Sequence, residues 1–143
     1  MNLVLNLILC LVSLPAINAF SSGADPRACS NLKPLHDGLD TQTSTSPFAV
    51  IPSTTTYTAS DKVTVTLEAR CGYKFKGFLI QARRADSLSV RTEPLGTFDP
   101  VANTNQICPN NTALTHSSAA EKTSLDITWN APSIAGTGHI VFK

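Results

Sequence analysis

Two stretches restrict this chain more than anything else in it. Residues 62–69 read KVTVTLEA, and residues 124–130 read SLDITWN. In the first, Val63, Val65 and Leu67 alternate with Thr64, Thr66 and Glu68. In the second, Leu125, Ile127 and Trp129 alternate with Asp126, Thr128 and Asn130. Strict period two puts every apolar side chain on one face of an extended strand, whereas a helix of the same residues would scatter them around its axis. Each stretch is therefore expected to be a half-buried strand, with Trp129 in the core because an aromatic in the inward set packs rather than displays.

The rest of the chain agrees with an all-β architecture. FAVI, residues 48–51, is a short strand bounded by Pro47 and Pro52, and HIVF, residues 139–142, is a last one. FKGFLIQARR, residues 75–84, is the most apolar run outside the N-terminus. Phe78, Ile80 and Ala82 share one face there, and Phe75, Gly77 and Leu79 the other, which implies a central strand covered on both sides. Gly77 in such a strand marks a bulge or a close approach by a neighbour, so Gly77→Val is expected to destabilise the domain. No segment keeps a helical period, although SSAAEK, residues 117–122, has the composition for one turn. Short alternating strands and nine prolines predict an antiparallel β-sandwich.

The first 20 residues, MNLVLNLILCLVSLPAINAF, carry no charged side chain. Their apolar run is shorter than the roughly 20 residues a spanning helix needs. With the small residues Ala16 and Ala19 it has the form of a secretory signal peptide, residues 1–19, cleaved after Ala19. Residues 20–143 then form one domain, long enough for its own core. The polar stretch of residues 20–46 is expected to be irregular and anchored by Cys29. No other segment approaches spanning length, so the mature chain is expected to be secreted and extracellular. Lys+Arg number 11 and Asp+Glu 10, and this balance does not steer the chain to nucleic acid.

Of four cysteines, Cys10 lies in the leader, leaving Cys29, Cys71 and Cys108 for an oxidising compartment. Spacing alone allows Cys29–Cys108 or Cys71–Cys108, and the odd thiol, expected to be a buried free cysteine rather than capped or paired with another chain, governs any covalent oligomer. No C-x-x-C occurs, which argues against zinc ribbons and thiol-disulfide enzymes. His36, His116 and His139 lack the close spacing of paired metal ligands, and no G-x-S-x-G frames Ser117 or Ser118 beside His116. Acidic residues are scattered, and no glycine loop for phosphate is present. No catalytic residue, metal or cofactor is therefore assigned. Asn110 opens the sequon Asn110-Asn111-Thr112 and is expected to be an exposed glycan acceptor. Arg83 and Arg84, near Lys74 and Lys76, are the candidate binding surface.

Four motifs occur in order: ACSNLKPLH (28–36), FKGFLIQAR (75–83), ICPNNTALTHSS (107–118) and WNAP (129–132). Together they resemble the reeler domain, the reelin-type N-terminal domain, from about Ala24 to Lys143. The nearest likeness is to single-domain secreted members, insect-type defence proteins induced on bacterial challenge. The resemblance implies an immunoglobulin-like β-sandwich, a Cys29–Cys108 bridge and no catalytic residues. It implies a non-enzymatic role in innate antibacterial defence, through microbial surfaces or extracellular partners. Cys71 departs from the family pattern. The family also continues its last strand past the point where GHIVFK ends here. A truncated final strand would fit the N-terminal ectodomain of a ferric-chelate reductase-like membrane protein with DOMON and cytochrome b561 regions, or an extracellular-matrix or adhesion module.

Overall fold

The computed structural model describes residues 20–33, 42–85, 93–134 and 138–143. The proposed leader and His36 lie outside these residues.

Among the described residues, eight strands form two antiparallel sheets. The first contains β1 (Phe48–Pro52), β2 (Lys62–Ala69), β7 (Ser124–Asn130) and β4 (Thr97–Phe98), in the order β1-β2-β7-β4. The second contains β5 (Thr104–Ile107), β6 (Ala113–His116), β3 (Leu79–Arg84) and β8 (Ile140–Phe142), in the order β5-β6-β3-β8. The regular helical elements among the described residues are two short 3-10 turns, Pro26–Cys29 and Pro109–Asn111.

The period-two expectation is met residue by residue. Val63 pairs with Trp129, Val65 with Ile127 and Leu67 with Leu125. Because paired residues share a face, this register puts both apolar sets against the second sheet. That sheet answers with Ile80, opposite Leu114, and Ala82, opposite Phe142. Trp129, Phe98, Ile80, Leu114 and Ile127 are all fully buried. The Trp129 ring meets Tyr57 edge-on at 5.2 Å and Phe142 at 5.5 Å, joining the two layers. Its indole N–H donates to the Leu95 carbonyl at 2.9 Å, so the one polar atom of the ring is satisfied. At Gly96, φ is +69°, and a Cβ would lie 2.3 Å from the Asn130 carbonyl oxygen and 2.5 Å from Trp129 Nε1. Only glycine lets the chain turn this close to the indole.

Three expectations need correction. The strand begins at Leu79 rather than Phe75, which forms only an isolated bridge with Lys122. Its second face is covered, but by Gln81 and Arg83 rather than by apolar side chains. Residues 117–122 form no helical turn. The Lys122 ammonium instead draws in three carbonyls, those of Lys76 at 3.0 Å, Ser118 at 2.9 Å and Ala120 at 2.7 Å. Strands β4, β5 and β6 were not legible as strands, since two to four residues are too few for a period to show.

Candidate functional site: the covered face of the second sheet

The middle of the outer face of the β5-β6-β3-β8 sheet, at Gln81, Arg83, Ala113 and Thr115, is not open to solvent. Residues 20–33 cross it and are held by side chains from three strands. Ala24 N–H donates to Thr115 Oγ1 at 2.9 Å, and Asn105 Nδ2 donates to the Ser22 carbonyl at 3.3 Å. Arg83 sits beneath this segment, donating from Nη1 to the Ser30 carbonyl at 3.0 Å and from Nη2 to the Cys29 carbonyl at 2.8 Å. Its Nε donates to Gln81 Oε1 at 2.7 Å. Gln81 Nε2 donates to Thr112 Oγ1 at 3.4 Å, and that hydroxyl donates to the Pro109 carbonyl at 3.0 Å. The Cys29–Cys108 disulfide closes over the same network, with a Cα–Cα distance of 5.6 Å. Burial pushes the Arg83 guanidinium below its ordinary range, and the three acceptors offset that desolvation.

His116 is the second anchor. It is 9 % exposed. Phe78 N–H donates to Nδ1 at 3.1 Å, which makes Nδ1 the acceptor and Nε2 the protonated nitrogen. Nε2 then donates to the Phe20 carbonyl at 3.0 Å. Thr115 Oγ1 donates to the Phe78 carbonyl at 2.7 Å. A Cβ on Gly77 would lie 2.6 Å from the imidazole Cε1 and 2.9 Å from Nε2. The close approach expected at Gly77 is therefore real, and the neighbour is this ring.

Between the N-terminal segment and the start of β3 lies a cavity of about 420 Å³, walled by Phe20, Ala28, Leu32, Phe78, Leu79 and Ala119. Asp25, Lys76 and His116 also reach it. Asp25 caps the 3-10 turn through Arg27 N–H at 2.8 Å and pairs with the Arg27 guanidinium at 2.8 Å. These contacts hold its carboxyl down at about 2. Beyond the wall formed by Gly77, Phe78 and Leu79 is a second cavity of about 210 Å³, lined also by Phe48, Val50 and Phe75. Phe48, Phe75 and Phe78 stack edge to face at 6.2 and 6.5 Å.

The family model described as the reeler domain matches residues 27–143. The chain belongs to the reeler family. The reeler domain of human F-spondin superposes on it with a TM-score of 0.58 at 26 % identity, covering 68 % of this chain and 72 % of that one. "Putative defense protein 3" of Antheraea mylitta is 28 % identical over 131 residues, covering 91 % of this chain and 77 % of that protein. "Ferric-chelate reductase 1" of Homo sapiens is 32 % identical over 130 residues, covering 87 % of this chain. The reeler chain spans only about a fifth (21 %) of the length of that reductase.

The other residues singled out in the sequence are dispersed over the reeler sandwich. The arginine pair is divided by the alternation of β3. Arg83 is 7 % exposed and presents no surface, while Arg84 is half-buried at the strand end. Asn110 is exposed in the turn after Cys108, with φ +58°. Cys71 is a free thiol but exposed rather than buried as expected, since it sits in the turn after β2, and the bridge the resemblance implied is made by the other two cysteines. Among the described residues no group of three or more His, Cys, Asp or Glu is placed to hold a metal. No helix among them is long and apolar enough to cross a membrane. The identity of Gly77's neighbour and the Arg83 anchor were missed, because both depend on residues far apart in the sequence.

Proposed function

We propose that this reeler protein is a secreted, non-enzymatic binding module of antibacterial defence that engages microbial surfaces or extracellular partners. The observation that carries this reading is the match to a relative named as a defense protein across 91 % of this chain and 77 % of that protein. That likeness extends over nearly a whole chain, unlike the match to the reductase. The covered sheet face adds a concave apolar site, the ordinary form of a small-ligand pocket. Asn110, on its exposed turn, carries the glycan, and Arg84 remains the cation to test on the strand end.

The test is direct. The full sequence is expressed in a secreting cell, and the medium protein is incubated with intact bacteria. Recovery of the protein with the cells, and slowed growth, is the expected result. Retention inside the producing cell, or a supernatant protein that neither binds bacteria nor changes their growth, defeats the reading.

A second reading rests on the 32 % identity to the reductase, which is confined to about a fifth of that protein. Here the chain is the ectodomain of a ferric-chelate reductase-like membrane protein. A transcript reading past Lys143 into membrane-spanning helices would establish it. Continuation into further extracellular repeats would instead favour a matrix or adhesion module.

A further inference from the structure

We infer that the cavity beside His116 is a binding site for the hydrocarbon chain of a monomeric, single-chain anionic amphiphile such as a fatty acid, with its head group held by Lys76. The inference rests on the binding role proposed above and gives it a ligand class.

Three observations converge. First, the cavity of about 420 Å³ falls in the usual range for small-molecule sites. Its walls are Phe20, Ala28, Leu32, Phe78, Leu79 and Ala119, and a hydrocarbon is the occupant such walls favour over water.

Second, several of the polar groups bordering it are already engaged within the fold. His116 uses both ring nitrogens, on Phe78 N–H and the Phe20 carbonyl. The Phe78 carbonyl accepts from Thr115, and the Lys76 carbonyl from Lys122. A peptide or a sugar needs several open donors and acceptors, and here the fold itself uses these. An alkyl chain needs none.

Third, charge at the mouth is asymmetric. The Asp25 carboxylate is neutralised by Arg27 at 2.8 Å. Glu121, close enough to feel Lys76, is paired with Lys74 at 2.8 Å. No hydrogen bond or ion pair among the described residues engages the exposed Lys76 ammonium, leaving one cation at the rim for a carboxylate.

The experiment titrates the full-chain secreted protein with octanoate, decanoate and dodecanoate, each below its micelle-forming concentration. Isothermal calorimetry is the readout, with thermal melts as the fold control for every variant. The expected result is one site per chain, tightening about fourfold for each added methylene. Ala119→Trp fills the cavity from an exposed loop and should weaken dodecanoate at least tenfold. Lys76→Ala should weaken dodecanoate and leave 1-dodecanol unchanged. No saturable binding, binding that ignores chain length, or equal binding to folded Ala119→Trp would overturn the inference. So would co-sedimentation with phosphatidylglycerol vesicles without binding of the monomeric acids, which would assign the ligand to a membrane surface. Bacterial binding by wild-type protein is measured in parallel. Cells bound without any fatty-acid binding would remove the ligand class and leave the defence reading standing. Fatty-acid binding without cell binding would do the reverse.

Discussion

Placing one methyl group on Gly77 tests the way the N-terminal segment is locked to the sandwich. In Gly77→Ala the new Cβ would sit 2.6 Å from Cε1, 2.9 Å from Nε2 and 3.1 Å from Nδ1 of His116. The ring cannot swing away freely. Phe78 N–H holds Nδ1 at 3.1 Å, the Phe20 carbonyl holds Nε2 at 3.0 Å, and the Phe78 ring packs 6.2 Å from it. Overpacking of this kind costs about 1–3 kcal/mol. Displacing the ring adds about 1 kcal/mol for each hydrogen bond lost. Replacing glycine stiffens the unfolded chain and offsets about 0.4–1 kcal/mol of this. The net is a loss of about 2–4 kcal/mol, or roughly 8–15 °C in Tm for a domain of this size. Valine at the same position should cost more. The assay is thermal unfolding followed by Trp129 fluorescence. His116→Ala provides the control, since removing the ring removes the clash. In that background the Gly77→Ala cost should fall to about 0.5 kcal/mol or less, so the double-mutant coupling is large. A Gly77→Ala Tm within 2 °C of wild type would refute the reasoning. So would an equal cost with and without His116.

Three further outcomes follow from the same geometry. Arg83→Lys keeps the charge but cannot serve Gln81, Ser30 and Cys29 together, so it should lose about 2–3 kcal/mol in denaturant unfolding; an unchanged midpoint would show the network to be idle. Alkylation of the native protein followed by non-reducing peptide mapping should label Cys71 and recover Cys29 linked to Cys108, and reduction of that bridge should cost about 4–5 kcal/mol for a loop of 79 residues; a Cys71–Cys108 peptide would contradict the structure. Asp25, Asp99 and Glu121 are held below their ordinary carboxyl range by Arg27, by Asn130 with Lys62, and by Lys74 respectively. Folded pKa values lower than unfolded ones mean stability that is full above pH 5 and declines as pH falls through the carboxyl range, towards about 2 for Asp25, so the melting temperature should drop from pH 5 to pH 2; a flat profile there would rule the linkage out.

Much of this protein could be read from short-range pattern. The β2 and β7 strands appear within the expected bounds, residues 62–69 and 124–130, because period two over seven or eight residues has one physical solution, a strand with one face buried. Trp129 and Gly77 were legible for related reasons. A large aromatic in the inward register must enter the core, and a glycine beside an apolar strand implies something close by. The sequence alone therefore determined the class of fold and the core face of its two best strands, and it marked Gly77 as either a bulge or a tight contact.

Tertiary structure decided which atoms make that contact and what the covered face does. His116 lies 39 positions after Gly77, and Cys29 and Ser30 lie more than 50 before Arg83. No local pattern brings such residues together. The same basic pair shows the limit most clearly. Adjacent in sequence, Arg83 and Arg84 read as one cationic patch, yet in a strand neighbours point to opposite faces. Arg83 therefore falls under the N-terminal segment, where backbone carbonyls receive its charge, while Arg84 stands half-buried at the strand end. Residues 20–33 look irregular in one dimension, anchored through Cys29. In three they convert an open sheet face into a walled apolar cavity, because burying the polar groups of that sheet requires partners that only a distant segment can bring.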